Sequence, residues 1–278
     1  MREINSSLIY KAIYDSALHC VTHVDEATFC AIKQAAAKET FETAKFALDT
    51  IIKNDILAAA EQLPMCQDTG MAVIFLEIGQ DVHIIGDIEE AVNNAVRDSY
   101  KDGYFRKSVL DPLTRINTKD NTPAVIHTEI VKGDKVRVSF LAKGFGSENM
   151  SKLFMLTPAD GIEGIKKSVI DTVRAASGNP CPPIIVGIGI GGTMEKAAIL
   201  SKKALLVGTN VHNKNENIAK LENELLDLIN DLGIGALGFK GVTTALSVNI
   251  LTYPTHIAGL PVAINLQCHA VRHETIEL

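Results

Sequence analysis

The sequence contains no tryptophan, and aromatic residues make up only 5% of it. That argues against a base-stacking platform or a sugar-stacking cleft. Five cysteines in 278 residues are too sparse, and odd in number, for a disulfide framework. No apolar run approaches the length of about 18 residues that a membrane-spanning helix needs. The first residues, Met1-Arg2-Glu3-Ile4-Asn5, lack a basic-then-apolar signal region. Low-complexity stretches, tandem repeats and long linkers are also missing. Positive charge is in deficit: 27 Lys and Arg against 33 Asp and Glu give −6. A broad basic face for nucleic acid or anionic lipid is therefore not expected. Together these absences describe a soluble, reduced, cytoplasmic protein whose thiols are free for metals or chemistry.

What is present is globular in texture, with 46% hydrophobic and 22% charged residues. The length suits one or two domains. Apolar residues recur at helical spacing through Leu8, Ile9, Ala12 and Ile13, and again through Phe41, Ala44, Leu48, Ile51 and Ile52. Residues 6–62 are accordingly expected to be helical, with a helix start at Asp25-Glu26-Ala27 and a break at Leu63-Pro64. Strands are expected over Met71–Ile78 and Asp81–Ile85, then a helix over Ile88–Tyr100. Ala124–Val131 and Lys135–Leu141 read as a hairpin joined by Lys132-Gly133-Asp134, with one wet face.

From about Asp160 the pattern becomes strand–turn–helix. A helix runs to about Ala176, and Pro183–Gly189 is a strand entering a glycine turn. Thr193 opens a helix, and a further strand is expected near Ala204–Val207. Asn215–Leu232 is an amphipathic helix, and Gly241–Leu251 and Leu260–Leu266 carry the last apolar runs. The expected fold class is α+β: a two-lobed module with a helical N-terminal region, a largely antiparallel sheet, and strand–turn–helix units in its C-terminal half. The lobes fall at approximately 1–154 and 155–278 of one module spanning 1–278.

Three cysteines sit at element ends: Cys66 in Pro64-Met-Cys-Gln-Asp-Thr-Gly70, Cys181 in Gly178-Asn-Pro-Cys-Pro-Pro183, and Cys268 in Asn265-Leu-Gln-Cys-His269. Prolines stiffen the first two loops, and rigid loops can hold thiolates in a fixed array. The spacings match no compact zinc or ferredoxin motif, so on spacing alone they read as buried structural thiols rather than a metal site. Cys20 and Cys30, in the helical region, read as structural.

Gly187-Ile-Gly189-Ile-Gly191-Gly192 contains G-x-G-x-x-G between a strand and a helix, the setting of a dinucleotide fingerprint. No acidic residue follows at Gly208-Thr209-Asn210 to hold a ribose. A carboxylate cradle at a helix start near Thr193, or a turn needed for close packing, fits the same residues. Lys143-Gly144-Phe-Gly146-Ser147 is a second glycine-rich turn that could bind an anion or cap a helix. Asp68 could be a general acid or base, or a turn aspartate bonded to its own backbone. Arg106, in Tyr104-Phe-Arg-Lys, could clamp a carboxylate or be merely solvated. His256, after Tyr253-Pro-Thr255, could be catalytic or structural.

Cys66-Gln-Asp-Thr-Gly70, Lys143-Gly-Phe-Gly-Ser147, Asn179-Pro-Cys-Pro182, Gly187-Ile-Gly-Ile-Gly-Gly-Thr193 and Cys268, in that order, resemble the N-terminal half of class I iron–sulfur fumarate hydratases. They equally resemble the related L-tartrate dehydratases, and the likeness covers essentially the whole chain. The resemblance implies a 4Fe–4S cluster on Cys66, Cys181 and Cys268, its fourth iron a Lewis acid for a 2-hydroxy dicarboxylate. It implies substrate-binding roles for Gln67, Arg106 and Gly144, an acid–base role for Asp68, and an active-site role for His256. The implied reaction is reversible hydration of fumarate to (S)-malate, with dehydration of L-tartrate to oxaloacetate as the alternative. A nucleotide-binding oxidoreductase is the more distant one, and a non-catalytic scaffold with inert thiols lies outside both classes.

The single-chain members continue into a second, swivelling domain, whereas this chain stops soon after Cys268. It is therefore expected to be an α subunit completed by a separate β subunit, as α2β2. One motif departs from the family pattern: Phe145 stands where the middle of three glycines is expected.

Overall fold

The computed structural model describes residues 2–278. Its elements, in chain order, begin β1 (Arg2–Asn5), α1 (Ser6–Thr22), α2 (Glu26–Lys38), α3 (Glu42–Glu61), β2 (Met71–Gly79), β3 (Val82–Ile85) and α4 (Ile88–Asp102). They continue β4 (Val125–Val131), β5 (Val136–Lys143), the single turn α5 (Phe145–Glu148), β6 (Lys152–Leu156) and α6 (Gly161–Ala176). The last are β7 (Ile184–Gly191), α7 (Met194–Ala204), α8 (Glu216–Asn230), β8 (Ala245–Tyr253), β9 (Leu260–Gln267) and β10 (His273–Glu277). The fold is α+β, and residues 6–62 are helical apart from short breaks, as their periodicity predicts. Side-chain caps set several helix starts. Asn5, Asp25, Asp87 and Asn215 each accept a backbone N–H from the first turn of α1, α2, α4 and α8.

The chain forms two compact units, neither of them continuous in sequence. The first comprises the segment ending at Val24, Asp55–Phe145 and Arg272–Leu278; the second comprises Asp25–Asn54 and Gly146–Val271. The linear division near residue 154 expected from the sequence thus meets a boundary at Phe145/Gly146 and two excursions. An N-terminal helical segment belongs to the second unit, and the C-terminal strand to the first.

In the first unit the sheet order is β10-β5-β2-β4, with β2 antiparallel to β5 and parallel to β4. α1 and α4 bury Ile9, Ile13, Ala17, Val92 and Val96 against Ile74, Leu76, Val138 and Phe140. The expected hairpin of Ala124–Val131 with Lys135–Leu141 is not formed. Both strands exist, but β2 lies between them and pairs with each. Local turn chemistry reports that two strands reverse direction, not whether a third inserts. Here the 132–134 connection crosses the end of β2. Gly79 and Gln80 donate to Lys135 O and Val131 O at 2.8 Å, and a Cβ on Gly79 would lie 2.3 Å from Gly133 O. β1, unsignalled in the sequence, pairs in parallel with β3.

In the second unit the sheet order is β6-β9-β7-β8. One face of β7 presents Val186, Ile188 and Ile190 to a core that includes Val169 and Val173 of α6 and Leu225 and Ile229 of α8. The other face meets α7. A Cβ on Gly187 would lie 2.2 Å from Ser201 O, and one on Gly189 would lie 2.0 Å from Ala197 O. Both glycines are therefore inside the strand, where the sequence suggested a turn, and their missing side chains seat the α7 backbone. The turn proper is Gly191-Gly192, with φ +91° and +69°. No strand forms near Ala204–Val207: α7 ends there, and Leu205 is buried with Ile185 and Val271. The strand after β7 is β8, more than 50 residues on in the chain; the two pair in parallel, but the crossover is much longer than the unit of about 30 residues that carries a dinucleotide fingerprint. No helix among the described residues is long and apolar enough to cross a membrane.

Candidate active site

In the first unit the loop from Cys66 to Gly70 connects α3 to β2, and its backbone carbonyls are bound from below. Tyr100, buried on the last turn of α4, donates its hydroxyl to Thr69 O and Gly70 O, both at 3.0 Å. Asn121, fully buried, donates Nδ2 to Gly70 O at 3.3 Å while its Oδ1 accepts the N–H groups of Ser108 and Val109. The Thr69 hydroxyl donates to Arg106 O at 3.1 Å. One set of buried polar groups thus holds the Cys66 loop and the Arg106 loop together.

Asp68 is an acceptor on both oxygens. Oδ1 takes the Gly70 N–H at 3.0 Å, the turn-aspartate arrangement, and Oδ2 takes the Phe145 N–H at 2.9 Å. The second bond draws the Lys143–Phe145 turn onto the loop. A Cβ on Gly144 would lie 3.4 Å from Asp68 Oδ2 and 2.8 Å from Arg272 Nη2. Arg272 is 1% exposed, and its Nη1 donates to the backbone carbonyl of Asp68. Lys143 is also 1% exposed, with Nζ 3.3 Å from Gly144 O. Burial pushes the Tyr100 phenol and the Cys20 thiol well above their ordinary ranges, and the Arg272 charge opposes the rise in both.

Of the residues singled out from sequence, Asp68 and Gly144 lie against one another, whereas Arg106 is tied to the same loop only through its main-chain carbonyl, its side chain being exposed. Cys66 and Gln67 are exposed on the same loop. Arg272, Tyr100 and Asn121 escaped notice. Tyr100 reads as a helix end and Asn121 as an ordinary loop residue. Arg272 follows an irregular segment with no periodicity, and its burial arises from the strand pairing of β10 with β5.

In the second unit Cys181 is exposed on the turn after α6. Its φ is +53°, a left-handed conformation rare for a residue with a Cβ. The neighbourhood holds it there: Cys181 N–H donates to Gly178 O at 3.1 Å, and Leu237 N–H to Pro182 O at 2.8 Å. Gly178 meets Gly238 backbone to backbone, a Cβ there lying 3.3 Å from Gly238 Cα.

Cys268 is half-buried just past β9. Its sulfur is 3.6 Å from Nε2 of the fully buried Gln267 and 3.7 Å from Ala270 O. His256 lies on the β8–β9 turn. It lines a cleft of about 390 Å³ with Gly192, Thr193, Lys196, Tyr253 and Thr255. Thr255 Oγ1 donates to Gly192 O at 2.9 Å, and His256 Nδ1 accepts the Ala258 N–H at 3.2 Å. A neutral imidazole so bonded carries its proton on Nε2.

None of the five cysteines is in a disulfide. Among the described residues, no group of three or more His, Cys, Asp or Glu is arranged to hold a single metal ion.

Residues 10–277 match the family described as Fumarate hydratase (Fumerase). The chain is 45% identical over 249 residues to the "Putative L(+)-tartrate dehydratase subunit alpha" of Methanocaldococcus jannaschii, covering 87% of each chain. It is 30% identical over 249 residues to the L(+)-tartrate dehydratase subunit alpha of Escherichia coli strain K12, covering 88% of this chain and 82% of that one. The same identity and coverage relate it to the L(+)-tartrate dehydratase subunit alpha of Shigella sonnei. With the match running over nearly its whole length, the chain belongs to the fumarate hydratase (Fumerase) family.

Proposed function

We propose that this hydro-lyase chain is the α subunit of a 4Fe–4S enzyme that reversibly hydrates fumarate to (S)-malate. The observation that carries the proposal is the approach of Asp68 to the Lys143–Phe145 turn, on a loop that also holds the Arg106 main chain, in a chain of the fumarate hydratase family. Cys66, Cys181 and Cys268 are the proposed cluster ligands. They suit that role in being outside any disulfide, exposed or half-buried, and on irregular backbone outside the hydrophobic cores, whereas Cys20 is locked in one. Three soft thiolates are a fitting donor set for iron–sulfur. When bound, such a cluster leaves one iron without a protein ligand and supplies Lewis acidity.

The remaining roles fall to the chain's own groups. Arg106 can pair with a substrate carboxylate, and Gln67 can donate to it. Gly144, lacking a Cβ, admits close approach to its backbone. Asp68 is the proposed acid–base group, with both oxygens oriented by backbone N–H bonds. His256 can donate from Nε2. Cationic and amide donors around the carboxylates would stabilise the charge that develops on the carbon next to them.

The relatives named as α subunits support a separate β subunit, and α2β2 is the proposed assembly. The chain is proposed to act in the cytoplasm as one module of two lobes. A second substrate, L-tartrate, is favoured by the names of the relatives. Tartrate differs from malate by one hydroxyl, so one or two polar contacts would decide between them. The test is an anaerobic preparation with the β subunit, assayed side by side on fumarate, (S)-malate and L-tartrate. Turnover of fumarate and malate above that of tartrate supports the proposal. Preference for tartrate selects the second substrate, and no turnover of any of them removes the hydro-lyase assignment.

A further inference from the structure

Arg272 is the largest fully buried side chain among the described residues, at 1% exposure. It forms no ion pair with any described residue, and its Nε has no hydrogen-bond partner. A buried guanidinium without a carboxylate is expensive to maintain, so its place calls for an account.

Its main chain belongs to the β5–β10 pairing, with Ala142 N–H donating to Arg272 O at 2.9 Å. β5 then ends at Lys143, and the next residue is Gly144. The side chain turns back, so that Nη1 donates to Asp68 O and Nη2 faces Gly144, where any Cβ would come within 2.8 Å of it. The guanidinium therefore spans two segments that are also joined by the Phe145 N–H to Asp68 carboxylate bond and by the pairing of Met71 with Lys143.

We propose that Arg272 is a positioning residue of the active site: its guanidinium locks the Asp68 main chain against the Lys143–Gly144 turn and so fixes the direction of the Asp68 carboxylate. The proposal rests on the hydro-lyase reading for the role of Asp68, but the clamp itself does not depend on that reading. A planar guanidinium offers two nitrogens in a fixed fork, whereas an ammonium offers one point of contact. Lysine at this position would keep the charge and could donate to Asp68 O, but would lack the flat guanidinium whose second nitrogen packs on Gly144. Gly144 is the complementary test site. Its backbone conformation allows alanine, and the first obstacle to a Cβ is Arg272 itself.

The test uses the anaerobically loaded enzyme with its β subunit, comparing wild type, Arg272→Lys, Arg272→Gln and Gly144→Ala. Misplacing a reacting group by an ångström costs about 100-fold, so Arg272→Gln should lower kcat by about that factor while KM stays within about threefold. Arg272→Lys should recover part of the loss. Gly144→Ala should lower kcat in the wild-type background and do so less beside Arg272→Lys, because the atom it strikes is gone. Independently, the backbone amides of Gly70 and Phe145 should exchange hydrogen faster in the Arg272→Gln chain than in wild type, without substrate or metal.

A folded Arg272→Gln enzyme with kcat within about twofold of wild type would overturn the proposal. So would an effect confined to KM, or unchanged exchange at both amides. If Arg272→Gln fails to fold, the Lys and Ala variants decide: additive losses, or none, count against the clamp. Failure of the functional reading is separately visible, as wild-type enzyme inactive on fumarate, malate and tartrate alike.

Discussion

The backbone N–H of Phe145 lies 2.9 Å from Oδ2 of Asp68, joining the turn after β5 to the loop that carries Cys66. With Oδ1 bound to Gly70 N–H at 3.0 Å, the carboxylate has a donor on each oxygen. Asparagine keeps the shape but offers one acceptor, so one N–H would face an NH2 group. Asp68→Asn should therefore cost about 1–3 kcal/mol of stability, read by urea unfolding. If Asp68 is the acid–base group, kcat should fall by about 10²–10⁴ as well. Wild-type stability in the variant would contradict the two-donor geometry.

Tyr100 supports the same loop from the core. Tyr100→Phe removes the hydroxyl that donates to Thr69 O and Gly70 O, keeping the Asn121 bond to Gly70 O. The expected loss is about 1–2 kcal/mol, with faster hydrogen exchange in the Cys66–Gly70 loop. An unchanged unfolding midpoint would show that these two bonds contribute nothing net.

Gly187 and Gly189, the glycines of β7 that face α7, make a steric prediction. Gly189→Ala drives a methyl to 2.0 Å from Ala197 O, a backbone atom that cannot swing aside. Such overpacking should destabilise by about 3 kcal/mol or more, seen as a large fall in Tm or loss of soluble protein. Gly259→Ala, whose Cβ meets nothing within 4 Å at an ordinary φ, is the control and should be near neutral.

Acid should loosen the loop after Arg106. Asp111 Oδ1 accepts the Thr114 N–H, the Thr114 hydroxyl and the Leu113 N–H, and these bonds hold its carboxyl below the usual range. A carboxyl lowered in the folded state contributes fully above its unfolded pKa of about 4 and loses that contribution as pH falls through the lowered value. Exchange at the Leu113 and Thr114 amides, corrected for intrinsic rate, should rise in that acid window and not between pH 5 and 8. Asp111→Asn should raise it at neutral pH.

Much of the fold was legible because periodicity is a local property. Helical spacing through Ile9 and Ile13, and the dense apolar run of Met71–Ile78, set α1 and β2 correctly. Pairing is not local. The Lys132-Gly133-Asp134 turn signals a reversal but not the insertion of β2 between β4 and β5. Glycines 187 and 189 carry a nucleotide-like spacing, yet the pressure that selects them is contact with α7, a helix found only in three dimensions. Within the site, Asp68, Arg106 and Gly144 stood out through local motifs. Arg272 did not, because what matters about it is burial beneath a loop 204 residues away in sequence.

Cys66, Cys181 and Cys268 are proposed to hold one iron–sulfur cluster together. The most direct measurement is a cysteine footprint by mass spectrometry, on the chain alkylated before and after anaerobic iron–sulfur reconstitution. Before reconstitution Cys30, Cys66 and Cys181, all exposed, should label rapidly, Cys268 more slowly, and the buried Cys20 scarcely at all. After it, Cys66, Cys181 and Cys268 should become protected together, in proportion to bound iron, while Cys30 stays reactive. Iron binding that leaves any one of the three labelling at its original rate would contradict the account.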